Sequence, residues 1–210
     1  ILPETVTDTS PHDGERRRRP DEVESAFIRF HDVWFAYKGE DFVLKKFHLD
    51  LQRGEKVALV GETGGGKTTV TRLLSRLYDV NRGSIELDGS DLRQTPLQSL
   101  RQRIGIVLQD PYLFSGSIAE NICLGDARAR SRVQLAARIV GADRFIEKLP
   151  GGFDEAVRER GNNFSAGERQ LISFARAVAF DPEILVLDEA TASVDSEAES
   201  LIQEGLCRLM

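Results

Sequence analysis

Nowhere in this sequence do apolar residues run for the roughly 18 positions that a membrane-crossing helix needs, and no basic start followed by an apolar stretch marks a signal peptide. Cysteine is nearly absent. Cys123 and Cys207 are the two present; both sit in apolar surroundings without metal-ligand spacing, so inert thiols in a reducing compartment are expected rather than a disulfide or a zinc site. Positive charge is also short: a net charge of -6 and a pI near 5.2 argue against a broad nucleic-acid-binding face. No internal repeat is visible. What remains, 210 residues of which 40% are hydrophobic, is enough to bury a sizeable core as one large domain, or one domain with a small satellite.

Residues 1–25 have almost no apolar periodicity and are rich in Pro, Asp, Glu and Thr, which predicts a linker. Its Arg16 to Arg19 run is flanked by acidic residues and reads as a solvated tether rather than a lipid or nucleic-acid contact. From Ala26 the pattern changes. AFIRFHDVWFAY and VLKKFHLDL alternate like strands, with KGED as the turn between them. KVALVG is a continuous apolar run that predicts a buried strand; it ends in glycines, and in KTTVTRLLSRLYDV the residues Val70, Leu73, Leu74 and Leu77 mark one face of a helix. GSIELDG and RIGIVLQD read as further strands, residues 117–148 as mostly helical, and EILVLDEA as a second buried strand after Asp181-Pro182. Apolar strands alternating with helices predict an α/β fold with a parallel sheet.

GETGGGKT, Gly61 to Thr68, fits G-x-x-x-x-G-K-[ST] and lies between a strand and a helix, the context that a phosphate-binding loop requires. Its glycines allow successive amides to face phosphate oxygens, Lys67 brings a fixed positive charge, and the Thr68 hydroxyl can ligate Mg²⁺. Asp188, ending the strand in EILVLDE, suits the same metal. Glu189 directly after it suits a general base acting on an attacking water, which favours hydrolysis over transfer to a second substrate.

FSAGERQLISFARAV, residues 164 to 178, predicts a helix with Leu171, Phe174, Ala175 and Val178 on one face. Ser165 and Glu168 form a capping box, and the small residues between them leave amides uncovered at a helix end that attracts anions. A cap alone would account for the pattern.

Taken in order, these motifs resemble the nucleotide-binding domain of ATP-binding-cassette transporters over residues 26–210. GETGGGKT resembles the Walker A motif, ILVLDE the Walker B motif and FSAGE the signature motif, usually LSGGQ; Gln109 in VLQD matches the Q-loop, Asp195 in ASVD the D-loop, and Tyr37 the aromatic that stacks on adenine. The resemblance implies a P-loop NTPase, RecA-like parallel-sheet core (57–108 and 181–210), an N-terminal antiparallel β subdomain (26–56 and part of 83–92) and an inserted α-helical subdomain (109–180) carrying the signature. It implies MgATP held by Gly61, Glu62, Thr63, Gly64, Gly65, Gly66, Lys67, Thr68 and Thr69, with Thr68, Gln109 and Asp188 at the metal and Glu189, Gln109 and Lys67 catalytic.

In this family two domains pair head to tail, so Ser165 and Gly167 are expected to hold the γ-phosphate of a partner chain's ATP, with Asp195 at the dimer interface. LFSGSIAENI (113–122) and the segment RERGNNFSAGE (158–168) resemble the exporter branch, in which these stretches lie against a transmembrane domain; residues 1–25 would lead from such a domain, and the protein would act at the cytoplasmic face of a membrane. Three departures stand out. Gly65 replaces a common serine, Ala166 and Glu168 replace the signature's usual glycine and glutamine, and the family's switch histidine is expected beyond Met210, since His12, His31 and His48 come too early. Homodimer and heterodimer both stay open. A soluble cassette acting on nucleic acid or ribosomes is the alternative, but coiled-coil insertions and basic surfaces are missing; a P-loop kinase would have no use for FSAGE.

Overall fold

The computed structural model describes residues 4–7, 26–62, 64–108, 110–188 and 204, and the chain divides into two compact units, Ile1–Leu100 and Arg101–Met210. The first unit contains strands β1 (Glu4–Thr7), β2 (Ile28–Phe35), β3 (Leu44–Leu51) and β4 (Val57–Val60), helix α1 (Lys67–Leu74), and strands β5 (Arg82–Leu87) and β6 (Ser90–Asp91). Four of these strands form an antiparallel sheet in the order β3-β2-β5-β6. Its inner face buries Ile28, Phe30, Val33, Phe35, Leu44, Phe47, Ile85 and Leu87.

The apolar positions of β2 step from 30 to 33 where strict alternation would demand 32, and the backbone explains the step. The β2–β3 register passes from Phe30↔Leu49 to Val33↔Phe47 and returns at Phe35↔Leu44. Two bulges, one per strand, therefore cancel, and each has a residue in the left-handed region, Asp32 at φ 47 and Lys46 at φ 53. Gly83 lies under the first bulge, where a Cβ would stand 2.3 Å from the Asp32 carbonyl oxygen.

Two expectations for this unit are corrected. β4 is not buried: its residues alternate between half-buried and exposed, and among the described residues its one hydrogen-bonded neighbour is β1, paired antiparallel from Glu4↔Val60 to Thr7↔Val57. An apolar run covered on two sides needs neighbours that β4 lacks here, and part of the stretch read as a linker is drawn into pairing instead. Helix α1 is shorter than its periodicity predicts, leaving Leu77 56% exposed. Arg76, at φ 49, turns the chain so that its amide donates to the Leu73 carbonyl and the Leu77 amide to that of Arg72. This is a Schellman ending with arginine where glycine is usual, fixed by side-chain bonds from Arg76 to the carbonyls of Leu92 and Thr95.

Helix α2 (Leu97–Arg103) leads into the second unit, with strands β7 (Ile104–Val107) and β8 (Gly116–Ser117), helices α3 (Ile118–Cys123), α4 (Ala127–Val140) and α5 (Asp143–Ile146), strand β9 (Ala156–Val157), helix α6 (Ala166–Ala179) and strand β10 (Ile184–Leu187). The run 117–148 is thus three helices. Leu124 at φ 48 ends α3, Asp126 caps α4 by accepting from the amides of Arg128 and Ala129, and Gly141 ends α4 in the left-handed conformation. Val133, Ala136, Ala137 and Val140 of α4 join Ile118 and Ile122 of α3 and Leu171, Ile172, Phe174 and Val178 of α6 in one core.

β10 pairs with β7 in parallel, Ile184↔Ile104 to Leu187↔Val107. Among the described residues this is the parallel pairing present, and the expected continuous parallel sheet is not seen. β10 also departs from a buried strand: Val186 is buried but Leu187 is 38% exposed, since among the described residues the pair has two strands only. The unit boundary after Leu100 falls inside the segment 57–108 expected to begin the nucleotide-binding core. Among the described residues no helix is long and apolar enough to cross a membrane.

Candidate functional site

In the first unit, β4 runs directly into the glycine loop and the loop into α1. Gly64 and Gly66 take φ 85 and 90, values that side-chain-bearing residues adopt only with strain. Gly66 is doubly required, because a Cβ there would stand 2.9 Å from Leu44 Cδ2. The Gly65 amide donates to the Glu62 carbonyl at 2.9 Å, closing the loop on itself. Lys67 Nζ donates to the carbonyl oxygens of Gly61 (2.7 Å) and Glu62 (3.0 Å), so the ammonium is tied back to the start of the loop. Thr68 and Thr69 follow in the first turn of α1. Thr63 lies outside the described residues.

Tyr37, just after β2, stands beside that turn: its hydroxyl is 3.1 Å from Thr69 Oγ1, and its ring, 40% exposed, packs edge-on against Phe35 and Tyr78. Two residues of this cluster were not singled out from the sequence. Arg72 Nη1 donates to the Tyr37 hydroxyl at 3.3 Å, and Tyr78 backs the ring at 5.2 Å between centroids. Arg72 lies three residues after Thr69 on the same helical face, a spacing that could have flagged it.

In the second unit, the parallel pair sends Val107 and Asp188 out of the same end, and the Asp188 amide donates to the Val107 carbonyl at 3.0 Å. Ligands in α/β folds bind at such carboxyl ends of strands. Gln109, Glu189 and Asp195 lie outside the described residues, but Leu108, adjoining the first of them, accepts from Gln170 Nε2 of α6 at 3.1 Å. Gln170 is a buried amide and, with Ser173, one of two buried polar side chains on a mostly apolar helix face. It was missed because two polar residues do not disturb the helical period.

Helix α6 begins as its sequence predicts. Ser165 Oγ accepts from the Glu168 amide (3.2 Å) while Glu168 Oε2 accepts from the Ser165 amide (2.7 Å). Ser165 and Ala166 are exposed and Gly167 is buried. The cap takes up the amides of Ser165 and Glu168 and leaves those of Ala166 and Gly167, at the positive end of a 14-residue helix, as the anion-attracting feature.

A glycine loop whose lysine, at a helix start, is bonded back to the loop's first carbonyls defines a P-loop nucleotide-binding protein. Residues 44–192 match the family described as ABC transporter, and the chain belongs to that family. It is 51% identical over 180 residues to a probable multidrug resistance ABC transporter ATP-binding/permease protein of Bacillus subtilis, covering 85% of this chain and 27% of that protein. With an ATP-dependent lipid A-core flippase of Alkalilimnicola ehrlichii it shares 46% over 204 residues, covering 96% of this chain and 35% of the flippase. Among solved structures, that of a bacterial Atm1-family ABC exporter with ATP bound superposes with a TM-score of 0.81 at 38% identity, over 89% of this chain and 33% of the exporter chain. The chain thus spans about a third of the length of these relatives.

Proposed function

We propose that the chain binds MgATP and hydrolyses it between two such domains arranged head to tail, and that hydrolysis drives export of a substrate by a transmembrane domain of the same or an associated chain. The observation that carries this reading is the loop in which Lys67 is bonded to the carbonyls of Gly61 and Glu62 at the start of α1, beside an exposed tyrosine ring. Amides and an ammonium suit the triphosphate, and the ring suits adenine. The exporter and flippase relatives supply the direction of the work.

In this reading residues 61–69 surround the phosphates and Tyr37 stacks on the base. Thr68, Gln109 and Asp188 offer oxygen donors of the kind Mg²⁺ takes; bound there, the ion would neutralise charge on the β- and γ-phosphates. Glu189 orients the water and accepts its proton, while Ser165 and Gly167, with Asp195 nearby, meet the partner's ATP. The antiparallel sheet of the first unit corresponds to a β subdomain and the α3–α6 cluster to an inserted helical one. The partner surface for the transmembrane domain includes residues 113–122, which puts the domain at the cytoplasmic face of the membrane.

The test is light scattering on a Glu189→Gln variant, with and without MgATP. A nucleotide-dependent dimer is expected, together with turnover lowered roughly 10²- to 10⁴-fold, the scale of a general base. Failure to bind ATP would overturn the reading.

A further inference from the structure

The turn between β7 and β8 displays two aromatic rings to solvent. Tyr112 is 51% and Phe114 53% exposed, packed edge to face at 5.1 Å, while Leu113 between them is fully buried. The turn is held by polar bonds that the nucleotide site does not use. Asn121, 2% exposed, takes the Phe114 amide on Oδ1 (2.8 Å) and donates from Nδ2 to the carbonyls of Phe114 (2.8 Å) and Ser117 (3.0 Å). Arg176 of α6 closes the arrangement: Nε donates to the Asn121 carbonyl (2.8 Å), Nη1 to the Tyr112 carbonyl (3.0 Å) and Nη2 to Asn121 Oδ1 (3.3 Å), and the guanidinium lies 5.8 Å from the Phe114 ring centre.

Each of these nitrogens meets an uncharged oxygen. Burial pulls the pKa of Arg176 below its ordinary value, so the charge is kept there at a cost that packing alone does not require. What the guanidinium adds is a planar fork that reaches separate acceptors at fixed angles, which neither lysine nor an apolar side chain can do. The same helix also grips the other end of the segment, through Gln170 on the Leu108 carbonyl. Two side chains of α6 thus hold the Leu108 and Tyr112 carbonyls.

We propose that Arg176 is a positioning residue that transmits the nucleotide-dependent state of the signature helix to the Tyr112–Phe114 turn, and through it to the transmembrane domain. The inference rests on the reading above that this part of the chain faces that domain.

The test is hydrogen exchange on the intact protein in lipid nanodiscs, in a Glu189→Gln background, with and without MgATP, comparing Arg176 with Arg176→Lys and Arg176→Met. With arginine, MgATP should slow exchange in 110–116 about threefold, the scale of one net hydrogen bond. Both variants should lose this response while residues 166–179 keep theirs; loss of the buried bonds should lower the melting temperature by a few degrees, without raising exchange throughout residues 101–188. Three outcomes overturn the proposal. If either variant keeps the response, Arg176 only packs or carries charge; if exchange rises throughout residues 101–188 with a lower melting temperature, its role is structural. If the arginine form shows no response in the turn while still binding ATP, the docking reading itself fails.

Discussion

The Tyr37 hydroxyl lies 3.1 Å from Thr69 Oγ1, which fixes an exposed aromatic ring to the first turn of the helix that opens from the glycine loop. If the ring is the platform for adenine, the hydrogen bond and the π-face contribute separately. Tyr37→Phe should change ATP affinity by no more than about threefold, a neutral hydrogen bond's worth. Tyr37→Ala should weaken it by the scale of one base stack, about 1–3 kcal/mol. Calorimetric titration with ATP distinguishes the two, and equal losses would mean that the hydroxyl matters more than the face.

Gly64 and Gly66 share the left-handed backbone but not the same space. A methyl at 64 meets nothing within 4 Å, whereas at 66 it meets Leu44 Cδ2 at 2.9 Å. Gly64→Ala should therefore cost about 1–2 kcal/mol of backbone strain, and Gly66→Ala that amount plus the displacement of Leu44. Denaturant unfolding of the two variants should show the larger loss at 66.

The capping box of α6 separates two roles of the signature stretch. Ser165→Ala removes the acceptor for the Glu168 amide and should cost about 1 kcal/mol, while Glu168→Gln keeps an oxygen for the Ser165 amide and should be close to neutral in stability. If the same residues also meet a partner's nucleotide, Ser165→Ala will slow ATP turnover by more than its stability loss explains. Steady-state kinetics well below the melting temperature will show it.

Acid should weaken the second unit through its helix caps. Asp126 accepts from the amides of Ala129 and Arg128, which holds its pKa below the ordinary value, the Ala129 bond contributing most. A carboxylate lowered on folding stabilises fully above its unfolded pKa, roughly 4, and that stability is lost as pH falls through the lower folded value. Asp126→Asn keeps an acceptor that does not titrate, so its melting temperature should fall less than the wild type's between pH 7 and roughly 3. An identical fall would remove Asp126 from the acid response.

Much of this arrangement can be read from residue order. The glycine turns at Gly64 and Gly66, the capping box at Ser165 and the apolar face of α6 all depend on neighbours within a few positions, and all fold as their spacing predicts. Features set by distant partners were harder to see. Helix α1 stops at an arginine because Leu92 and Thr95, far along the chain, offer carbonyls to its side chain. The pairing of β1 with β4 could not be seen in a segment without periodicity, nor could the half-exposed state of β4, since an apolar run tells what a strand would bury but not which neighbours it finds. Gln170 was silent for the same reason, its partner lying 62 residues away, whereas Arg72 carried a local signal in its spacing from Thr69 even though its partner Tyr37 lies 35 residues away.

The two bulges that cancel in β2 and β3 also bear on what the molecule avoids. Among the described residues β3 is an outer strand of its sheet, and a flat outer strand invites a second chain to add to it and begin an aggregate. Here Lys46 turns its backbone to φ 53 in mid-strand, and with Lys45 it puts two exposed positive charges on consecutive positions. An incoming strand would find its ladder interrupted and its approach charged. The residue that restores register inside the sheet thus keeps other chains from extending it.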